Sequence, residues 1–252
     1  MAQQKDFWSG TAARAKTRLK QRQGAFLLCM LAGFLLAILC LGFSVYSNAS
    51  KVEIFEAQLF AHVDYQALNT DEESLQSFAQ ETIQYLTGNQ GGWNPQITLS
   101  GFPAASFIPQ DFRDHMAEVK VWFGNAKVIF LLGLVAVLVF LCISMTLGRT
   151  RNRKGFSLFG YYLGVGIMLL LLLVLGIWIM VDFQNLWLIL HEVLIPDGIF
   201  PAGEPVMLLF PLALFEGYIP PVIGTFGLLL LAVLALPILL SPISQWVATH
   251  QK

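Results

Sequence analysis

Four stretches of this chain, residues 24–45, 128–147, 161–181 and 219–240, contain no Asp, Glu, Lys or Arg. Each is long enough to cross a bilayer, whose hydrocarbon core takes a helix of about 20 residues. A water-soluble fold of 252 residues has nowhere to put them, because a chain of that size buries only about three quarters of its surface. Charged residues make up 12% of the chain, about half the share in an average soluble domain, and the deficit falls in these runs. The expectation is an all-α membrane protein with four transmembrane helices. The first run has basic residues before it and Ser47-Asn48-Ala49-Ser50 after it, the outline of a signal peptide. Its apolar length exceeds the roughly 7–15 residues of a signal core, so it reads as an uncleaved span. Cys29, Cys40 and Cys142 all sit inside apolar runs, which suits small packing residues and argues against a disulfide framework or a zinc site.

Orientation follows from where the positive residues fall, since Lys and Arg accumulate in short cytoplasmic segments. Residues 1–23 hold Lys5, Arg14, Lys16, Arg18, Lys20 and Arg22, and the link 148–160 holds Arg149, Arg151, Arg153 and Lys154. Of the acids, only Asp6 shares that side. The predicted order is a cytoplasmic tail (1–23), a span (24–45), an extracytoplasmic helical lobe (46–127), a span (128–147), a cytoplasmic link (148–160), a span (161–181), a second extracytoplasmic segment (182–218), a span (219–240) and a cytoplasmic tail (241–252). With a net charge of -1 there is no basic excess to attract nucleic acid, and none is expected as a partner.

The first outer segment is too long to be a mere connection. Val52, Phe55, Leu59 and Val63 recur at helical spacing, as do Leu75, Phe78, Ile83 and Leu86. The second helix is predicted over 71–87, with Thr70 or Asp71 as N-cap and Gly88 as its stop. Residues 88–109, rich in Gly and Pro, read as an ordered loop. A further helix is expected to start near Pro109, where a missing N–H costs nothing, and to run into the second span. The second outer segment has no Lys or Arg yet stays apolar, and 205–215 is an uncharged run too short to cross. It is expected either to re-enter the membrane or line a cavity, because irregular backbone at that depth needs protein or water around it, or to lie as an apolar interfacial loop. Glu192, Asp197, Glu204 and Glu216 among its apolar neighbours favour a cavity.

Of four histidines, His250 and His62 read as solvated. His115 stands in Asp111-Phe112-Arg113-Asp114-His115-Met116-Ala117-Glu118-Val119. On a helix it shares a face with Phe112, Met116, Val119 and Phe123, and Asp111 and Glu118 are spaced to reach its ring. A carboxylate on one imidazole nitrogen raises the basicity of the other. His191, in Leu190-His191-Glu192, is expected to continue from the third span without a polar break. Two histidines among apolar neighbours on one side of the membrane suggest a shared site. There is no Gly-x-Ser-x-Gly elbow, no His-Glu-x-x-His and no phosphate loop, so no nucleotide, metal or other cofactor is expected. Spans without charge offer no ion relay, which weighs against a transporter. A non-catalytic accessory subunit with an outer lobe is the competing reading.

Tyr85-Leu86-x-Gly88, His115-Met116-x-Glu118-Val119, and Leu190-His191-Glu192 followed by Pro205, Pro211 and Phe215 resemble the bacterial lipoprotein intramolecular transacylase (Lit) family over most of the chain. Members typically have Asp at the position of Glu118 and Phe at that of Leu190. The resemblance implies an acyltransferase of the bacterial cytoplasmic membrane, working on its outer face. It would move the sn-2 acyl chain of a diacylglyceryl-modified N-terminal cysteine to that cysteine's own α-amino group, giving a lyso-form lipoprotein. Its partners would be the lipoprotein and membrane lipid. The family's functional histidines map onto His115, taken as base, and His191, its partner, although the sequence does not rank them. Asp111, Glu118 and Glu192 are candidate supporting groups, and Tyr85, Gly88 and Met116 candidate substrate contacts.

Overall fold

The computed structural model describes residues 2–147, 156–195, 198–201 and 203–250, without the side chains of 2–13, 105 and 240–250. The basic residues Arg149, Arg151, Arg153, Lys154 and Lys252, together with Asp197, lie outside the described residues, as do the side chains of Lys5, Asp6 and His250. The elements run α1 (Ala2–Ala49), α2 (Val52–His62), α3 (Glu72–Leu86), β1 (Thr98–Leu99), β2 (Phe102–Pro103), α4 (Ala104–Phe107), α5 (Gln110–Leu147), α6 (Leu158–Leu194), a short 3-10 turn (Pro205–Leu208), α7 (Leu212–Glu216) and α8 (Ile219–His250). Among the described residues, four helices are long and apolar enough to cross a membrane, within Arg14–Ala49, Gln110–Leu147, Leu158–Leu194 and Leu212–Leu239, so the expected all-helical membrane architecture holds.

The chain forms two compact units. The first comprises Met1–Cys40, Leu131–Leu173 and Leu228–Lys252, and the second Leu41–Phe130 and Val174–Gly227. Close backbone approach organises the first unit. A Cβ on Gly164 would strike the Met30 carbonyl oxygen and come within 2.9 Å of Phe34 N, one on Gly160 would come within 2.6 Å of the Phe26 oxygen, and one on Gly33 would strike the Tyr161 carbonyl. Positions 160 and 164 thus form a small-xxx-small seam on α6 that lets the α1 backbone close in, the usual device where lipid supplies no hydrophobic force between helices. Hydrogen bonds add to it: Tyr161 Oη donates to the Val233 carbonyl (2.9 Å), Tyr162 Oη to that of Leu234 (3.0 Å), and Cys29 Sγ to Ser144 Oγ (3.2 Å). Cys29 and Cys40 are buried free thiols, while Cys142 is exposed.

Apolar burial builds the second unit. Helix α3 starts as predicted: the Asp71 side chain accepts from Ser74 N at 2.7 Å, which ties up one of the unpaired first-turn donors. Just beyond its other end Gly88 sits at φ 92. Helix α2 is shorter than its hydrophobic spacing suggests, with Val63 as an extended cap. The loop 88–109 contains a hairpin. Ser100 (φ 50) and Gly101 (φ 83) form its turn, the left-handed pair that two-residue hairpins favour. Trp93 anchors the loop: its Nε1 donates to buried Thr82 Oγ1 at 3.1 Å, and its carbonyl accepts from Arg113. Its ring lies 5.8 Å from that of Phe112 and 6.3 Å from that of Phe78.

Residues 205–215 are covered by protein. Val206, Leu209 and Leu214 have no exposed surface and belong to the same core as α2, α3 and Trp93, so protein surrounds their irregular backbone. Helix α6 does not run unbroken to His191: Asp182 leaves helical geometry (φ -157, ψ 78) and accepts from Asn185 N at 3.0 Å. A carboxylate that can cap restarts the helix in a new direction, so the limb bearing His191 is a separate element.

Candidate functional site

Helix α5 opens at Gln110, and the burial of Phe112 (3% exposed) and Met116 (5%) fixes its rotation. Val119 and Phe123 pack against the same core, as their shared face predicts. His115 stands on this face but at its edge, half-buried. Its ring meets Phe200 edge-on at 5.4 Å and lies 5.9 Å from that of Phe112. Its Nδ1 is buried and meets no hydrogen-bond partner among the described residues. A buried lone pair without a partner costs less than a buried N–H without one.

His191 lies on the restarted limb of α6, one turn beyond Trp187. The Trp187 ring is 4.4 Å from the imidazole, and the Trp187 carbonyl is 3.1 Å from Nδ1. A carbonyl oxygen can only accept, so Nδ1 carries hydrogen and the lone pair of the neutral ring falls on Nε2. Trp187 is itself held by stacking on Phe215 at 4.3 Å, which joins this limb to the end of α7.

The two imidazoles meet, with centroids 6.0 Å apart and planes at 31°. Charging both would set two like charges side by side in partly apolar surroundings, which disfavours a second proton. The helices carrying them are tied directly: Trp122, two turns after His115 on α5, donates from Nε1 to the Leu194 carbonyl (3.2 Å) at the end of α6. That carbonyl lacks a partner within its own helix, as final-turn carbonyls do.

Asp111 is exposed and accepts from Phe112 N at 2.8 Å; Glu118 and Glu192 are exposed. None of these carboxylates hydrogen-bonds to either imidazole among the described residues. Spacing allowed Asp111 and Glu118 to reach His115, but the first-turn amides compete for one and solvent for the other. Tyr85 is 5% exposed, in the core, with Lys120 Nζ 4.3 Å from its ring centre; Met116 is in the same core, and Gly88 follows the end of α3. His62 is exposed. Sequence reasoning overlooked Trp187, Phe200 and Gly198. Only Trp187 left a local signal, because a carbonyl four residues earlier on a helix is within reach of a histidine side chain.

Fold and site together define a helical membrane protein with a paired-imidazole centre suited to moving protons, and equipped with neither a serine elbow nor a helix-borne zinc motif. The model of one family, lipoprotein intramolecular transacylase Lit, matches residues 29–212, a stretch that includes both histidines, and the chain belongs to that family. It is a membrane-bound acyltransferase of the lipoprotein intramolecular transacylase type, acting on lipoproteins. No curated protein and no solved structure matches the chain.

Proposed function

We propose that His191 and His115 carry the acyl transfer, and that the chain moves the sn-2 acyl group of a diacylglyceryl-modified N-terminal cysteine onto that cysteine's own α-amine. The amine has an ordinary pKa of about 8 and is mostly protonated at neutral pH, so it needs a base. Imidazole suits that task, since its proton affinity lies near the working pH. Once deprotonated, the nitrogen attacks the ester carbonyl carbon. A C–N bond forms and the bond from that carbon to the sn-2 oxygen breaks; the proton that freed the amine is released to the medium, and a second proton, lost from nitrogen as the amide forms, passes to the departing glycerol oxygen. Nucleophile and ester belong to one molecule, so the site has only to fold them together, and oriented intramolecular reactions can gain roughly 7–11 kcal/mol.

The single observation that carries this reading is the 6.0 Å approach of two imidazoles from α5 and α6. The surroundings of the two rings favour His191 as base and His115 as its partner, the opposite of the assignment taken above. His191, with Nδ1 held on the Trp187 carbonyl, presents the Nε2 lone pair and acts as base. His115, whose Nδ1 edge is closed, presents Nε2–H and stabilises the oxyanion. Val193 (73% exposed), Leu194 (46%) and Leu190 (42%) surround His191 on its limb, as a lipid-bearing substrate requires. The positive-residue asymmetry supports cytoplasmic termini and a site on the outer face, with 46–127 and 182–218 as the extracytoplasmic segments. Mass spectrometry of lipoprotein N-termini, in a host that otherwise makes only diacylglyceryl lipoproteins, tests the proposal: wild type yields N-acylated lyso-form, while His115→Ala and His191→Ala do not. Full product from either variant rejects it.

A further inference from the structure

Gly198 lies against His115. A Cβ at this position would stand 2.5 Å from both Cε1 and Nδ1 of the imidazole and 3.1 Å from Ile195 Cγ2, far inside van der Waals contact. The lack of space accounts for the glycine. Gly198 is buried, and its position is set by the limb that carries the other histidine. Ile195 N donates to the His191 carbonyl at 2.7 Å, and Gly198 N donates to the Ile195 carbonyl at 2.9 Å. A short run of backbone hydrogen bonds thus leads from His191 to the edge of the His115 ring.

We propose that Gly198 is a positioning residue for His115: its bare backbone closes the Nδ1–Cε1 edge of the ring, fixes the rotamer, and leaves Nε2 as the nitrogen that serves the substrate. The proposal rests on the reading that His115 takes part in the transfer. In Gly198→Ala the added methyl can be accommodated only by rotating the imidazole, the most yielding group it meets. Gly203→Ala is the matched control, since a Cβ there meets nothing within 4 Å.

Two readouts in the purified full chain test it. Acylation of a diacylglyceryl lipopeptide should show kcat lowered about tenfold or more in Gly198→Ala, with KM within about twofold, because orientation is lost and binding is not; Gly203→Ala should match wild type. Independently, the rate at which diethylpyrocarbonate modifies His115, read by peptide mass spectrometry, should change in Gly198→Ala while that of His191 does not. Unchanged His115 reactivity overturns the proposal, and so does a wild-type kcat. The reactivity readout does not depend on catalysis. A changed His115 reactivity in Gly198→Ala, combined with full product from His115→Ala, would therefore reject the functional reading while leaving the contact intact. Should Gly198→Ala fail to fold, the double variant with His115→Ala must fold as well as His115→Ala alone, because the ring that the methyl strikes is gone; a double variant that also fails overturns the proposal.

Discussion

The two units solve the same packing problem by opposite means. In the first, helices approach backbone to backbone across Gly33, Gly160 and Gly164, and phenol hydroxyls bond to helix carbonyls. In the second, large rings fill the space: Phe78, Trp93, Phe112 and Phe210 pack on one another at 5.4–6.4 Å. Glycine seams suit segments with apolar solvent, where removing oily surface from lipid gains nothing and contact must come from close fit. Aromatic burial suits segments with water available, where removing apolar area from it is the main driving force. A seam of backbone has no room for a reactive side chain. An aromatic core has an edge, and both histidines stand there, half-buried.

The sharpest way to break this comparison is to alter the edge itself. His191→Ala should lower the transfer rate by about 10²–10⁴-fold, the usual worth of a positioned base, and His115→Ala by about 10²–10³-fold, that of an oxyanion donor. Both should melt within a few degrees of wild type in detergent. A melting point that collapsed with activity would make the pair a structural feature of the second unit. Next in size, Gly164→Leu should force α1 and α6 apart and cost about 1–3 kcal/mol, seen as a lower Tm, with kcat per folded molecule unchanged. If kcat fell before stability did, the functional distinction between the units would fail.

Thr82→Val tests the core rather than its edge. It keeps shape but leaves Trp93 Nε1–H buried without its acceptor, at a cost of about 1–3 kcal/mol, whereas the double variant with Trp93→Phe should recover part of the loss. The smallest effect is at the α3 cap. The backbone N–H of Ser74 holds the Asp71 carboxyl below its ordinary pKa. A group depressed on folding contributes stability above its unfolded pKa and loses it as pH falls through the folded value. Wild type should therefore show a slight drop in Tm below about pH 4 that Asp71→Asn, which caps without titrating, does not share. Identical pH profiles for the two would remove the cap's role.

Much of this was legible in the chain. Uncharged runs announced the spans. The spacing of Phe112, Met116, Val119 and Phe123 predicted the buried face of α5, and Asp71 and Gly88 marked the ends of α3. Such features are local: each follows from a few neighbouring residues and the helical period. The Asp182 break was missed because a lone acid between apolar runs looks the same whether it is solvated or caps a new limb. What covers 205–215 stayed open because an apolar run does not say whether lipid or protein will surround it.

The sequence by itself determined that this is a helical membrane protein, and through its motifs which family it belongs to and which two histidines to watch, because periodicity, charge placement and short motifs survive without coordinates. Only the tertiary structure decided that the rings meet, that the Trp187 carbonyl lies against His191 Nδ1, and that Gly198 lies against one edge of His115. These depend on contacts between stretches far apart in the chain and on which donors compete locally, and a one-dimensional pattern contains neither.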